Sequence, residues 1–236
     1  MLVTILIPCF NEEKTIEKLI IKLKSLKKIN KQIILIDDGS TDQTRKIIKE
    51  KLKKKVDKII FHEKNLGKGA AIISAIKFIR GQVIIIQDAD LEYNPNDYYK
   101  LLKPFKNNKI NVVYGSRVLG RKKKVLDNDI TKIYRIFGNF VLTKISNFLN
   151  NQNLTDAHTC YKVLRKKLFL KLNIEELDFS FCAEVTTKLS KLKQNIIEVP
   201  ISYNGRSYKD GKKISFKDAI FTLIAIVKHR FKFKVR

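Results

Sequence analysis

Short apolar runs alternate, through the first half of the chain, with stretches whose apolar positions recur every three or four residues. Residues 3–8 form the first run, a strand by its high Val/Ile/Leu content. Residues 12–27 follow with Ile16, Leu19, Ile20, Leu23 and Leu26 on one stripe, the signature of a helix buried along one face. The alternation repeats. Strands are expected at 32–37, 58–62, 82–87 and 111–115, and helices at about 41–52 (capped by Ser40 or Thr41), 69–79 and 96–105. Strands separated by helical segments predict an α/β fold with a mainly parallel sheet and helices on both faces. Beyond Gly120 the pattern loosens. A basic, turn-like segment, RKKKVLDND, precedes a helix over residues 130–149 that carries much of the second half's apolar surface. No Pro/Gly/Ser-rich linker divides the halves, so residues 1–236 are read as one domain, the second half packed on the first.

Charge adds one question. Lys and Arg number 49 against 23 Asp and Glu, a formal net charge of +26. Such a surface attracts phosphate polyanions, but the basic residues are spread along the chain, as a compositional habit on solvated helix faces would spread them. Local concentrations occur at 51–55, 121–124 and 228–236, and the last two suit an anionic surface. Three cysteines without C-x-x-C or Cys/His spacing fit a reducing compartment and no zinc site. The start of the chain lacks the pattern of a cleavable signal peptide. The apolar run at 219–227 is shorter than the roughly 20 residues a bilayer span requires. Followed by KHRFKFKVR, it reads either as an interfacial amphipathic helix or as a core helix with a basic tail.

The chemistry gathers at the carboxyl ends of the expected strands, where open α/β sheets bind ligands. In QVIIIQDADLEYNP an apolar run delivers Asp88 and Asp90, oxygen ligands suited to Mg²⁺ or Mn²⁺ bridging a nucleotide diphosphate; the alternative is a helix start capped by Asp90. After the first strand, PCFNEE supplies Pro8 to fix a turn, Phe10 to lie against a planar base and Glu12 to accept hydrogen bonds from base or ribose. After the second, DDGSTDQT sets Asp37 and Asp38 at a Gly39 turn, with Asp38 placed to hold a base or ribose donor. NLGKGAA offers backbone N–H groups to an anion at a helix start. It lacks the ATPase loop pattern, and no G-x-G-x-x-G follows the first strand.

Taken in order, VTILIPCFNEE, ILIDDGSTDQT, NLGKGAAIISAI, IIIQDADLEYNP, VVYGSR, TDAHTCYKVLRKKLF and IIEVPISYNGRSYKDGKKI resemble the family-2 glycosyltransferases of the GT-A fold, a Rossmann-like nucleotide-diphospho-sugar transferase fold. They are most similar to the polyprenyl-phosphate (dolichol-phosphate) hexose synthases. The resemblance covers nearly the whole chain. It implies a mixed, mainly parallel sheet, a nucleotide-sugar donor of the GDP-mannose or UDP-glucose type, a divalent metal (Mg²⁺ or Mn²⁺), inversion at the anomeric carbon and a polyprenyl phosphate acceptor at the cytosolic membrane face. It further implies a nucleotide-sugar half at 1–118 and an acceptor half at 119–236.

Carried over residue by residue, Pro8, Phe10, Glu12, Ile36 and Asp38 line the nucleotide. Asp88, Ala89 and Asp90 meet ribose, diphosphate and metal, and Glu92 stands where relatives often carry a Gln ligand. Many relatives have C-terminal transmembrane helices that this sequence lacks, so contact with an anionic membrane is expected to be peripheral or through a membrane partner, from the cytoplasm and without nucleic acid. An acceptor that is already a phosphate dianion needs cations to hold it, for which Arg117 and Arg206 are the candidates. An acceptor hydroxyl needs a general base instead; Asp156 is then first and Glu184 second. Asp90, Arg117, Arg206 and Asp156 are therefore the expected catalytic group.

Overall fold

The early apolar runs become strands, buried on both faces except for the half-buried run at 58–61. A computed structural model describes residues 1–121, 130–206 and 216–232. Strands β1 (Val3–Cys9), β2 (Lys31–Asp37), β3 (Lys58–Phe61), β4 (Val83–Ile86), β5 (Val112–Ser116), β6 (Lys162–Arg165) and β7 (Ile196–Pro200) form one seven-stranded sheet in the order β3-β2-β1-β4-β6-β5-β7. All neighbours run parallel except around β6, which is antiparallel to both β4 and β5.

The sequence pattern did not mark β6 or β7 as strands. β6 carries Lys162 in its core register, fully buried, with Nζ 2.7 Å from the Ala157 carbonyl and 3.8 Å from the centre of the Tyr114 ring. A lysine at that place conceals the apolar run. Burial, the largest influence, brings its ammonium down to about 8. β7 lies at the sheet edge and is only half buried, so its apolar content is diluted by Glu198.

The helices of the first half are shorter than their patterns suggested, whereas the helix expected over 130–149 runs from Ile130 to Asn150. α1 (Ile16–Ser25) buries Ile16, Leu19, Ile20 and Leu23, the expected stripe. Neither Ser40 nor Thr41 caps the next helix: α2 (Thr44–Ile47) begins at Thr44, whose N–H donates to Asp42 Oδ1, while Ser40 Oγ accepts from the Asn11 N–H. α3 (Lys68–Ala75), α4 (Tyr98–Leu102), α5 (Ile130–Asn150), α6 (Lys166–Lys171), α7 (Phe181–Lys191) and α8 (Phe216–Lys232) complete the set, with α8 packed on α7 and α5. The segment after Asp90 is a turn through Leu91, at φ +61°, rather than a helix start. Of the basic segments, residues 122–124 and 233–236 lie outside the described residues.

The 175–178 segment is clamped to the start of α3. The Ala70 N–H donates to the Leu177 carbonyl at 2.9 Å, and a Cβ on Gly69 would fall 1.9 Å from the Glu176 carbonyl oxygen. Gly69→Ala must push that backbone away. It is expected to cost about 2 kcal/mol, a fall of roughly 4–8 °C in Tm on thermal denaturation; an unchanged Tm would show that the clamp yields freely.

Candidate active site

Parallel pairing aligns the strand ends that carry the candidate residues. Pro8 pairs in register with Ile36, Cys9 with Asp37, and Leu6 with Ile86, so the segments after β1, β2 and β4 emerge at one edge of the sheet. Pro8 and Phe10 are half buried there, while Ile36 and Ala89 are buried.

Asp88 and Asp90 differ in their surroundings. Asp88 Oδ1 accepts from Lys68 Nζ at 2.5 Å. Burial opposes that ammonium's charge, but Asp88 and the sulfurs of Cys160 and Cys182 hold its pKa well above the ordinary lysine value. Asp90 forms no ion pair among the described residues: its Oδ1 accepts the Glu92 N–H at 3.0 Å. Burial, then the negative charges of Asp88 and Glu92, push its carboxyl up to about 7. This local excess of negative charge, presented on hard oxygen donors, fits a divalent cation. Behind the pair, Gln87 Oε1 accepts from the hydroxyls of Tyr98 and Tyr161, both at 2.8 Å, and its Nε2 donates to the Asp88 carbonyl.

Glu92 faces the segment after β7. Its Oε2 accepts from the Tyr203 hydroxyl at 2.5 Å and its Oε1 from the Arg206 N–H at 2.8 Å. Arg206 spans from there to the first strand's loop: Nη2 meets Glu12 Oε2 at 2.6 Å, and Nε donates to the Asp90 carbonyl at 3.0 Å. Glu12 and Glu92 are thus joined through one arginine. Asp38 lies behind this group, buried, its carboxylate accepting from the N–H groups of Leu66 (3.0 Å) and Gly67 (2.8 Å) and lying 2.7 Å from His62 Nδ1. It fixes the loop that presents Lys68.

Arg117 and Asp156, expected on opposite sides of the acceptor question, are partners. Arg117 Nε and Nη2 each donate to one Asp156 oxygen at 2.7 Å, the Arg117 N–H adds a third bond at 3.1 Å, and Nη2 also reaches Asn139 Oδ1 on α5. The Asp156 side chain is fully buried; burial alone would raise its carboxyl, but Arg117 brings it down to about 2. Nη1 of Arg117 makes no hydrogen bond among the described residues, and the guanidinium carbon lies 5.2 Å from the centre of the Tyr203 ring, whose hydroxyl is on Glu92. Glu198 of β7 steadies the turn, accepting from the N–H groups of Thr155 (2.7 Å) and Asp156 (3.0 Å).

Glu184 is committed elsewhere. Its carboxylate accepts the N–H groups of Glu175 and Glu176 at 2.8 Å and sits 2.6 Å from Lys188 Nζ. Glu175, Glu184 and His229 bring ligand atoms within 4.8 Å of one another, but Lys188 donates to both glutamates there, 3.0 Å from Glu175, and makes the cluster an ion-pair network.

Lys68, Tyr203, Asn139 and Glu198 escaped the sequence reading. NLGKGAA had pointed to backbone N–H groups, whereas Lys68 brings a side-chain cation to Asp88; the other three carry no local pattern.

Comparison with known proteins identifies the family and the fold. The model for "Glycosyl transferase family 2" matches residues 4–172. A UDP-N-acetylglucosamine–dolichyl-phosphate N-acetylglucosaminyltransferase of Methanococcus voltae is 30% identical over 248 aligned positions, covering 96% of this chain and 96% of that protein. A dolichol-phosphate mannosyltransferase of Pyrococcus furiosus is 28% identical over 217 positions, 90% of this chain and 59% of that one. Glucosyl-3-phosphoglycerate synthase from Mycobacterium tuberculosis, solved with Mn²⁺, UDP and phosphoglyceric acid, superposes with a TM-score of 0.72 at 14% identity, covering 98% of this chain and 79% of that chain. The likeness to these structures establishes the GT-A fold.

Proposed function

The chain belongs to glycosyl transferase family 2, and we propose that within it the protein is an inverting hexosyltransferase that carries a sugar from a nucleotide donor to a polyprenyl phosphate at the cytosolic face of a membrane. The observation that carries this reading is Arg117: a guanidinium fixed on two nitrogens by a buried carboxylate, with Nη1 left for a ligand, next to the acidic strand end. An arginine pre-oriented in this way suits a phosphate. The relatives from Methanococcus voltae and Pyrococcus furiosus, by their names, use dolichyl or dolichol phosphate.

In the proposed reaction a phosphate oxygen of the acceptor, already ionised, forms the new bond to the anomeric carbon. The bond to the donor's diphosphate breaks on the opposite face, and its electron pair leaves with the nucleoside diphosphate. No proton has to be removed. Arg117 orients the incoming phosphate, and Arg206, drawn between Glu12 and the Asp90 backbone, is the second cation at the site. Asp88 and Asp90 would hold Mg²⁺ or Mn²⁺, with Glu92 beside them; when bound, the ion offsets charge on the departing diphosphate. Pro8, Phe10, Glu12, Ile36, Asp38 and Ala89 form the nucleotide side. The alternative, a glycan or small-molecule hydroxyl activated by Asp156, asks for a base; a carboxylate at about 2 with both oxygens on Arg117 is a weak one.

Incubation with Mn²⁺, a panel of nucleotide sugars and polyprenyl phosphate, followed by analysis of the lipid fraction, tests the reading. A phosphate-linked glycolipid is expected. Transfer to hydroxyl acceptors alone would reject it.

No helix among the described residues is long and apolar enough to cross a membrane. Surface attachment is supported by α8, which exposes Ile220, Phe221, Ile224, Val227 and Phe231 along one stripe, and by α5 beside it, which exposes Phe137, Phe140 and Phe148, the last at 86%. Ile224→Glu with Phe231→Glu is expected to weaken binding to anionic vesicles about tenfold or more without lowering Tm, since both side chains already face solvent. Undiminished recovery on vesicles in a flotation assay would remove α8 from the membrane contact.

A further inference from the structure

Neither glycine flanking Lys68 has room for a side chain, because one segment lies against both. A Cβ on Gly67 would fall 2.4 Å from the Leu177 carbonyl oxygen, as one on Gly69 would meet the carbonyl of Glu176. Phe179, two residues on, brings its ring centre to 5.9 Å from Lys68 Nζ. Lys68 is thus held on Asp88 by two supports, the Asp38 carboxylate under Leu66 and Gly67 and the backbone of Glu176 and Leu177. Glu176 is itself held by two helices. Its N–H donates to Glu184 Oε2 of α7 at 2.8 Å. Its side chain goes to α8, where Oε1 accepts from Lys228 Nζ at 2.7 Å and lies 2.8 Å from Nε2 of the buried His229. One residue therefore has its carboxylate on the helix that exposes Ile224, Val227 and Phe231, and its carbonyl on the glycine next to Lys68.

We propose that Glu176 is a positioning residue that ties the seating of α8 to the placement of Lys68 at Asp88. Removing its carboxylate takes from Lys228 and His229 the oxygen they share, so the last turns of α8 and the 175–178 segment each lose a charge-assisted partner. The slackened segment opens the bond from the Ala70 N–H to the Leu177 carbonyl more often. Lys68 then has to be ordered each time a ligand binds beside it, which costs affinity. The tie works in both directions, since coupling between two sites is reciprocal: a ligand that steadies Lys68 steadies α8. Its bearing on sugar transfer rests on the function proposed above, while the mechanical tie does not. Contiguity alone does not couple two sites, so the test reads both ends.

Residue-resolved hydrogen exchange on the full chain supplies the first arm, with Tm reporting that each variant folds. In Glu176→Ala the Ala70 amide is expected to exchange about tenfold faster while the amides of β1 and β2 keep their rates. Lys228→Met breaks the same tie from α8 at a side chain 39% exposed, so it serves even if Glu176→Ala fails to fold. It should give the same local change, and the double variant no more than the larger single one. Glu176→Gln keeps an acceptor oxygen and should recover most of the protection. In the second arm, Mn²⁺ with UDP or GDP is expected to slow exchange in α8 about fivefold in the unaltered protein and not in Glu176→Ala. Faster exchange confined to α8 and 175–178, with Ala70 unchanged, would give Glu176 a structural role only and overturn the proposal. Nucleotide binding that leaves α8 unaffected would overturn it too. Failure of the unaltered protein to bind either nucleotide would reject the donor reading, and faster Ala70 exchange in the variants would still uphold the tie.

Discussion

Asp90→Ala is expected to reduce sugar transfer about a thousandfold, and excess chelator to do the same to the unaltered protein, while Tm stays level or rises. The two halves of that expectation come from one feature. Asp90 carries a carboxyl that burial and the charges of Asp88 and Glu92 push up to about 7, so its ionised form is held in place at a cost to the fold. Such a group is retained where a bound cation repays it. Removing one of two carboxylates from a divalent site takes away both the ion and the charge it sets against the leaving diphosphate. Glu92→Gln is the control. An amide can accept from the Arg206 N–H through its oxygen and, with the direction reversed, donate to the Tyr203 hydroxyl through its nitrogen, so these two contacts can be kept, and one negative charge is lifted from Asp90. Its activity is expected within about threefold of the original. Steady-state kinetics with added Mn²⁺ decide the matter: full turnover in Asp90→Ala or in chelator would sink the metal assignment.

What the sequence disclosed follows from how locally each feature is encoded. β1, β2, β4 and β5 are buried from both sides, so their cores are dominated by apolar residues and their ends are legible to within a residue. β6 was hidden because Lys162 lies in its core register, paired with a backbone carbonyl and a tyrosine face rather than with a carboxylate. The strand ends exposed Asp88, Asp90, Glu12 and Asp38 because a short polar loop after an apolar run is a local signal. Their partners are not local. Arg206 reaches Glu12 across 194 positions, and Arg117 reaches Asp156 across 39; no periodicity links residues so far apart. Two side chains read separately, one as an acceptor's cation and one as a base, are a single ion pair. Asp38, read as a nucleotide contact, has its carboxylate on the loop of Lys68, and a ribose or base would have to share it.

That ion pair makes the acceptor question measurable. Arg117→Ala is expected to lower kcat/KM for polyprenyl phosphate about a hundredfold, the upper end of what one charge-assisted hydrogen bond contributes if it is realised in the transition state. Asp156→Asn should lower it about tenfold, because the guanidinium keeps its charge but loses the two-point clamp on Nε and Nη2. In the Arg117→Ala background, the Asp156 substitution should then change little, since its effect passes through the arginine. Removing either partner leaves a buried charge exposed to its own desolvation cost, so Tm is measured alongside, and Arg117→Lys, which returns a charge without the planar fork, should recover stability more than transfer. A catalytic base would give another pattern. Asp156 held at about 2 is ionised throughout the range above pH 4, and its contribution to stability, present there, is lost only as the pH falls toward 2. A hydroxyl-activating role would therefore have to work from a carboxylate some eight or more units below the proton it removes, by the ordinary ranges of these groups. If Asp156→Asn abolishes transfer in both backgrounds while Arg117→Ala alone stays near the unaltered rate, the acceptor is a hydroxyl and Arg117 serves only to position the base.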